Sequence, residues 1–156
     1  KPLGQCYGTG KQIEPGQTYY ATLVQTEDRF QRRDFSQEYW QNEKPQVYCY
    51  WKTTMPHPQQ KKKFFIDDQM LMAFFDRLAE ETDQEKINFR FVLAMILMRK
   101  KRLKYESTKQ RDEKEIWVLR KAGEKEYAEV INPHIDEQQI AELSQRLGTI
   151  LQQELE

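Results

Sequence analysis

Polar and apolar positions sort the chain into two dissimilar stretches. Residues 18–25 read Thr-Tyr-Tyr-Ala-Thr-Leu-Val-Gln, a β-branched and aromatic run that predicts a strand. The polar Thr26-Glu27-Asp28 predicts a turn into a second strand over 29–34. Ser36 stands where it can cap a short helix carrying Tyr39 and Trp40, and Pro45 ends that helix. From 46 to 52 the pattern alternates. This puts Val47, Cys49 and Trp51 on one face of a strand and Tyr48 and Tyr50 on the other. Residues 55–63, Met-Pro-His-Pro-Gln-Gln-Lys-Lys-Lys, keep no core pattern and mark a linker or exposed loop.

The second stretch reads helix, helix, strands, helix. Ile66 and Leu71 bracket Asp67 like a hydrophobic staple, so a helix is predicted to start at Asp67 or Asp68. Met70, Leu71, Phe74, Phe75 and Leu78 form its apolar stripe. Thr82 with Glu85 matches a capping box and opens a second helix running to about Lys100. Its segment 91–98 is apolar on every side, which predicts a central helix covered by neighbours and too short to span a bilayer. Short strands follow near 103–108, 115–120 and 127–131, with 109–114 and 121–126 as turns and Gly123 supplying backbone freedom. Asn132-Pro133 breaks this meander. Asp136 with Gln139, and Ile135 with Ile140, then open a final helix. Ile140, Leu143, Leu147, Ile150, Leu151 and Leu155 make its apolar face.

The predicted fold class is α+β. A small aromatic-rich antiparallel β unit over 1–55 and a linker over 56–66 precede a helix–helix–meander–helix unit over 67–156, co-folded with the first. Of the 156 residues 38% are hydrophobic and 12% aromatic, which argues against wholesale disorder and supplies a core. Formal charge is zero, which argues against a protein whose whole surface binds polyanions. Neutrality hides an asymmetry, because residues 1–60 carry +1, 61–104 carry +4 and 105–156 carry −5. Exposed charges seldom need a special explanation, yet a basic middle and an acidic end are the main compositional reason to expect a partner. Cys6 and Cys49 are the only cysteines, too few for a disulfide scaffold. With no apolar leader at the start of the sequence, a cytoplasmic location is expected.

Catalysis is poorly supplied. His57 lies in the Pro-flanked loop and His134 just before the last helix. Cys49 sits mid-strand between two tyrosines, the setting of a buried thiol and not of an activated nucleophile. No G-x-S-x-G, P-loop or G-x-G-x-x-G is present, and Gly8-Thr9-Gly10-Lys11 reads as a turn. Asp67-Asp68 suits a helix N-terminus better than a metal pair. Arg32 and Asp34 share a strand face and predict an internal ion pair. No catalytic residue, cofactor or metal ligand is assigned.

Cys6 is followed at zinc-knuckle spacing by Thr9, and Ser36 and Tyr39 repeat that spacing directly before Trp40. With Pro15-Gly16, Tyr19 and Arg33-Asp34 between them, these positions outline a zinc ribbon or treble clef. Thr9, Ser36 and Tyr39 cannot complete a structural zinc site with Cys6. The outline, with the apolar 91–98 segment and the basic Arg99-Lys100-Lys101-Arg102, resembles a family of small bacterial proteins. They share an N-terminal C-x-x-T-G-[KR], P-G and R-x-D elements, and an apolar helix ending in basic residues. The resemblance covers most of the chain, implies one co-folded unit without metal, and transfers no activity.

The expected function is a non-enzymatic protein-interaction or adaptor module, with Arg32, Arg33, Trp51, Lys61, Lys62 and Lys63 as partner-binding residues. The alternative is binding of RNA or another single strand. It would use Arg29, Arg32, Arg33 and Lys52 among Tyr19, Tyr20, Phe30, Tyr48, Tyr50 and Trp51, with the 61–63 and 99–102 basic clusters. Against it, residues 1–51 hold ten aromatics but few long aliphatics, so the aromatics are needed as core.

Overall fold

The computed structural model describes residues 4–27, 29–57 and 68–151. The fold is α+β, with two three-stranded antiparallel sheets and four α-helices among the described residues. Contacts divide the chain into two units, one drawn from Lys1–Phe74 and Ile150–Gln152, the other from Phe75–Thr149. The division falls inside a helix. Most of the 56–66 segment expected as a linker lies outside the described residues, as do Asp67 and Leu155. Among the described residues no helix is long and apolar enough to cross a membrane.

In the first unit β1 (Thr18–Thr26) is the central strand, flanked by β2 (Arg29–Ser36) and β3 (Cys49–Thr54). Ser36 ends β2 and caps α1 (Gln37–Glu43), its hydroxyl accepting the Tyr39 N–H at 3.2 Å. Lys44, left-handed at φ 47°, closes α1 one residue before Pro45. The chain rejoins the sheet only where the Tyr48 N–H donates to the Leu23 carbonyl at 2.7 Å. That is why β3 covers Cys49–Thr54 and not 46–52. Ile13, Met55, Met70, Leu71 and Phe74 are buried in the same unit. Phe30 meets Phe74 edge-on at 5.2 Å.

The dividing helix is α2 (Asp68–Arg77), which runs into a 3₁₀ turn over Leu78–Glu80. All five residues of its predicted stripe are buried. In the second unit α3 (Gln84–Arg99) is capped by Asp83, whose carboxylate accepts the Lys86 N–H, and not by Thr82. A carboxylate answers the positive end of the helix better than a hydroxyl does. As predicted, α3 is covered nearly all round, with Phe89, Phe91, Val92, Leu93, Ala94, Ile96 and Leu97 buried. It ends with Lys101 at φ 63° and bonds from the Lys101 and Arg102 N–H groups to the Met98 and Leu97 carbonyls, a Schellman ending. The 99–102 cations therefore sit at the negative end of a helix.

The meander is β4 (Leu103–Arg111), β5 (Lys114–Lys121) and β6 (Tyr127–Asn132). Asp112 and Glu113 both take positive φ, 52° and 66°, so a two-residue turn suffices and 109–111 are strand. Arg90, buried on α3, donates to the Phe75 and Glu129 carbonyls at 2.9 and 2.5 Å and lies over the Phe75 ring. Burial holds its pKa down at about 10. The final helix, α4 (Glu137–Leu151), carries the predicted capping box in both directions. Gln139 N–H reaches Asp136 Oδ1 at 2.8 Å, and Asp136 N–H reaches Gln139 Oε1 at 3.2 Å. Arg146 of α4 bonds Glu85 and covers Phe89 on α3.

Candidate interaction surface on the N-terminal sheet

Register decides which side chains share a face, because residues directly opposite in an antiparallel pair point the same way. One face joins Tyr19, Ala21 and Leu23 to Asp34 and Arg32 of β2 and to Trp51 and Cys49 of β3. All seven are buried. The other joins Tyr20, Thr22, Val24 and Thr26 to Phe35, Arg33, Gln31 and Arg29 and to Lys52 and Tyr50, with Thr54 opposite Thr18. Among the described residues this outer face contains three cations and no carboxylate.

Helix α1 covers one end of the outer face. Trp40 stacks on Tyr20 with centroids 4.6 Å apart and rings 11° from parallel, and Tyr39 stacks on the buried Phe35 at 5.3 Å. Tyr50 leans on Trp40 at 4.9 Å and is 52% exposed. Arg33 lies over the Tyr7 ring at 4.3 Å and donates to Gln31. Lys52 stands opposite Tyr20 and two residues from Tyr50, about 7 Å along the strand. Arg29, Gln31, Lys52 and Tyr50 are exposed.

The expected partner-binding residues separate here. Arg32 is 5% exposed and Trp51 7%, so both are core and neither offers a contact surface. Arg32 donates to Asp34 Oδ1 at 3.0 Å, as the shared face predicts, and to the Leu151 carbonyl at 3.1 Å. Arg33 lies on the outer face. Lys61, Lys62 and Lys63 lie outside the described residues. The aromatics named for single-strand binding divide the same way, with Tyr19 in the core and Tyr20 and Tyr50 outside. The sequence places Trp40 on the capped helix and in the knuckle spacing but does not point to it, or to Gln31, as part of this face. The signal for Trp40 was its place on the capped helix beside Tyr39.

The four knuckle positions also meet. Bonds from Cys6 N–H to the Lys11 carbonyl and from Gly10 N–H to the Cys6 carbonyl, both 2.8 Å, close the first turn, with Gly10 at φ 75°. Cys6 Sγ accepts the Ser36 N–H at 3.3 Å, and Thr9 Oγ1 accepts the Lys11 N–H at 3.1 Å. Cys6, Thr9, Ser36 and Tyr39 line one cleft of about 600 Å³, with Glu38 and Glu43 on its wall. Burial pushes the Cys6 thiol up, but hydrogen bonds with Ser36 and Thr9 more than offset it and bring its pKa to about 7. Among the described residues no three His, Cys, Asp or Glu side chains gather where they could hold a metal ion.

The Tyr39 ring lies against Gly8 so closely that a Cβ there would enter it. Gly8→Ala is therefore expected to cost about 1–3 kcal/mol, as overpacking does. Urea unfolding measures it, and an unchanged midpoint would show that the ring is free to move away.

Cys49 is buried on the core face opposite Leu23. His134 is exposed, with Nε2 3.5 Å from Glu115 Oε1. No protein family, curated protein or solved structure matches this chain.

Proposed function

We propose that the protein is a non-enzymatic interaction module whose working surface is the outer face of the N-terminal sheet. The observation that carries this reading is the division between the two faces. Aliphatic groups, Trp51 and the Arg32–Asp34 pair fill the inner face, while the outer face leaves Tyr50, Lys52, Arg29 and Gln31 exposed around a stacked Tyr20–Trp40 pair. Exposed aromatics beside arginine are enriched at recognition surfaces. The Cys6 turn and α1 form, in the same proposal, a knuckle of zinc-ribbon type in which hydrogen bonds and ring packing replace the metal. Two buried cysteines that form no disulfide with each other suit a reducing compartment such as the cytoplasm.

Affinity purification from the native cell tests the reading. The double variant Tyr50→Phe/Lys52→Ala, which keeps the ring against Trp40, serves as the folding control. Tyr50→Ala/Lys52→Ala should stay folded with at most a small drop in melting temperature and lose most of the material that co-purifies with the unaltered protein. Equal recovery by Tyr50→Ala/Lys52→Ala and the unaltered protein would refute this choice of surface.

A further inference from the structure

We infer that the outer face of the N-terminal sheet binds single-stranded nucleic acid, which rests on the interaction-surface reading above and names its partner. Charge is the first argument. Among the described residues, Arg29, Arg33 and Lys52 lie on this sheet face with no Asp or Glu beside them in register, Asp28 lying outside the described residues. Glu27 is in the turn beyond its end, and Glu38 and Glu43 of α1 line the Cys6 cleft. Several cations elsewhere among the described residues face carboxylates. The cleft of about 610 Å³ around Arg90 is lined by five carboxylates and four cations. On the β4–β6 sheet, Lys109 and Arg111 both pair with Glu129, and Arg120 forms an ion pair with Glu106.

Stacking is the second argument. Tyr20 and Trp40 are already stacked on each other, and Tyr50 is held against Trp40 with half its surface open. A ring fixed in this way loses little freedom when a base stacks on it. The positions also interleave. Arg33 and Tyr50 are the two cross-strand partners of Thr22, hence about 10 Å apart across the sheet, with Lys52 beyond Tyr50 on the same strand. Cations alternating with an exposed ring are what a backbone with splayed bases requires. A duplex keeps its base faces inside the stack, so the exposed Tyr50 ring has none to stack on there.

Fluorescence anisotropy with labelled uridine and thymidine oligomers of about 12 nucleotides, a length within single-strand site sizes, tests this on the full chain. Binding should weaken with salt along a log–log slope of about −2, from three phosphate contacts on a single strand. Tyr50→Ala should weaken it about tenfold, and Lys52→Ala should reduce the slope by about 0.7. A duplex of equal length should bind more weakly, and Arg111→Ala should change nothing. No binding at low salt, while co-purification still depends on Tyr50 and Lys52, would overturn this inference and leave the interaction-module reading standing with a protein partner. Oligomer binding indifferent to both substitutions would overturn the inference and the choice of surface together.

Discussion

Arg32→Met is expected to destabilise the N-terminal unit by about 3–5 kcal/mol, because it leaves a buried carboxylate without its partner. Asp34 is 6% exposed, and Arg32 holds it through Nε at 3.0 Å. Burial already raises the Asp34 pKa, with the charge and hydrogen bonds of Arg32 pulling the other way. Without Arg32 only the upward push remains. The folded pKa then lies above the unfolded one, so the variant is least impaired in acid and loses further stability as pH rises through the folded value. The double variant Arg32→Met/Asp34→Leu should recover most of the loss, since an apolar pair can replace a buried ion pair. Denaturant melts at several pH values measure all three. A loss under about 1 kcal/mol for Arg32→Met would show that water reaches the pair.

Leu97→Ala should cost about 2–5 kcal/mol, by lost transfer energy and the cavity left behind. Leu97 is fully buried on α3, which is buried on nearly every side, so no solvent-facing side is available for the site to collapse toward. Glu129 supplies the contrast. Arg111 and Lys109 lower its pKa to about 2 by hydrogen bonding and charge, yet the group is largely in solvent. Glu129→Gln should therefore cost no more than about 1 kcal/mol. Calorimetry of the two variants compares them directly, and equal losses would contradict the burial argument.

Periodicity made much of this legible. Alternation separated Trp51 and Cys49 from Tyr50 and put Arg32 with Asp34, and the α2 stripe and the Asp136–Gln139 box follow from spacing alone. Alternation does not say which face points inward when both carry aromatics, and so Arg32 and Trp51 were assigned to a partner surface. The usable signal was the company they keep, since Ala21, Leu23 and Cys49 share their face. Two-residue turns usually advertise themselves with glycine or asparagine; Asp112-Glu113 does not, so the hairpin was expected to be shorter. The caps of α3 lie one residue apart in sequence, Thr82 and Asp83, and only geometry chooses between them. The spacing of Cys6, Thr9, Ser36 and Tyr39 is plain in the sequence, but hydrogen bonding between Cys6 and Ser36 needs a three-dimensional fold.

Ultraviolet crosslinking of a labelled uridine oligomer to the full chain, with the modified peptide identified by mass spectrometry, tests the working surface most directly. Crosslinks should fall on Tyr50, with Trp40 or Tyr20 next, and should disappear in excess unlabelled oligomer. Crosslinks confined to the 99–111 segment, or none at low salt, would contradict the assignment of nucleic acid to the N-terminal sheet.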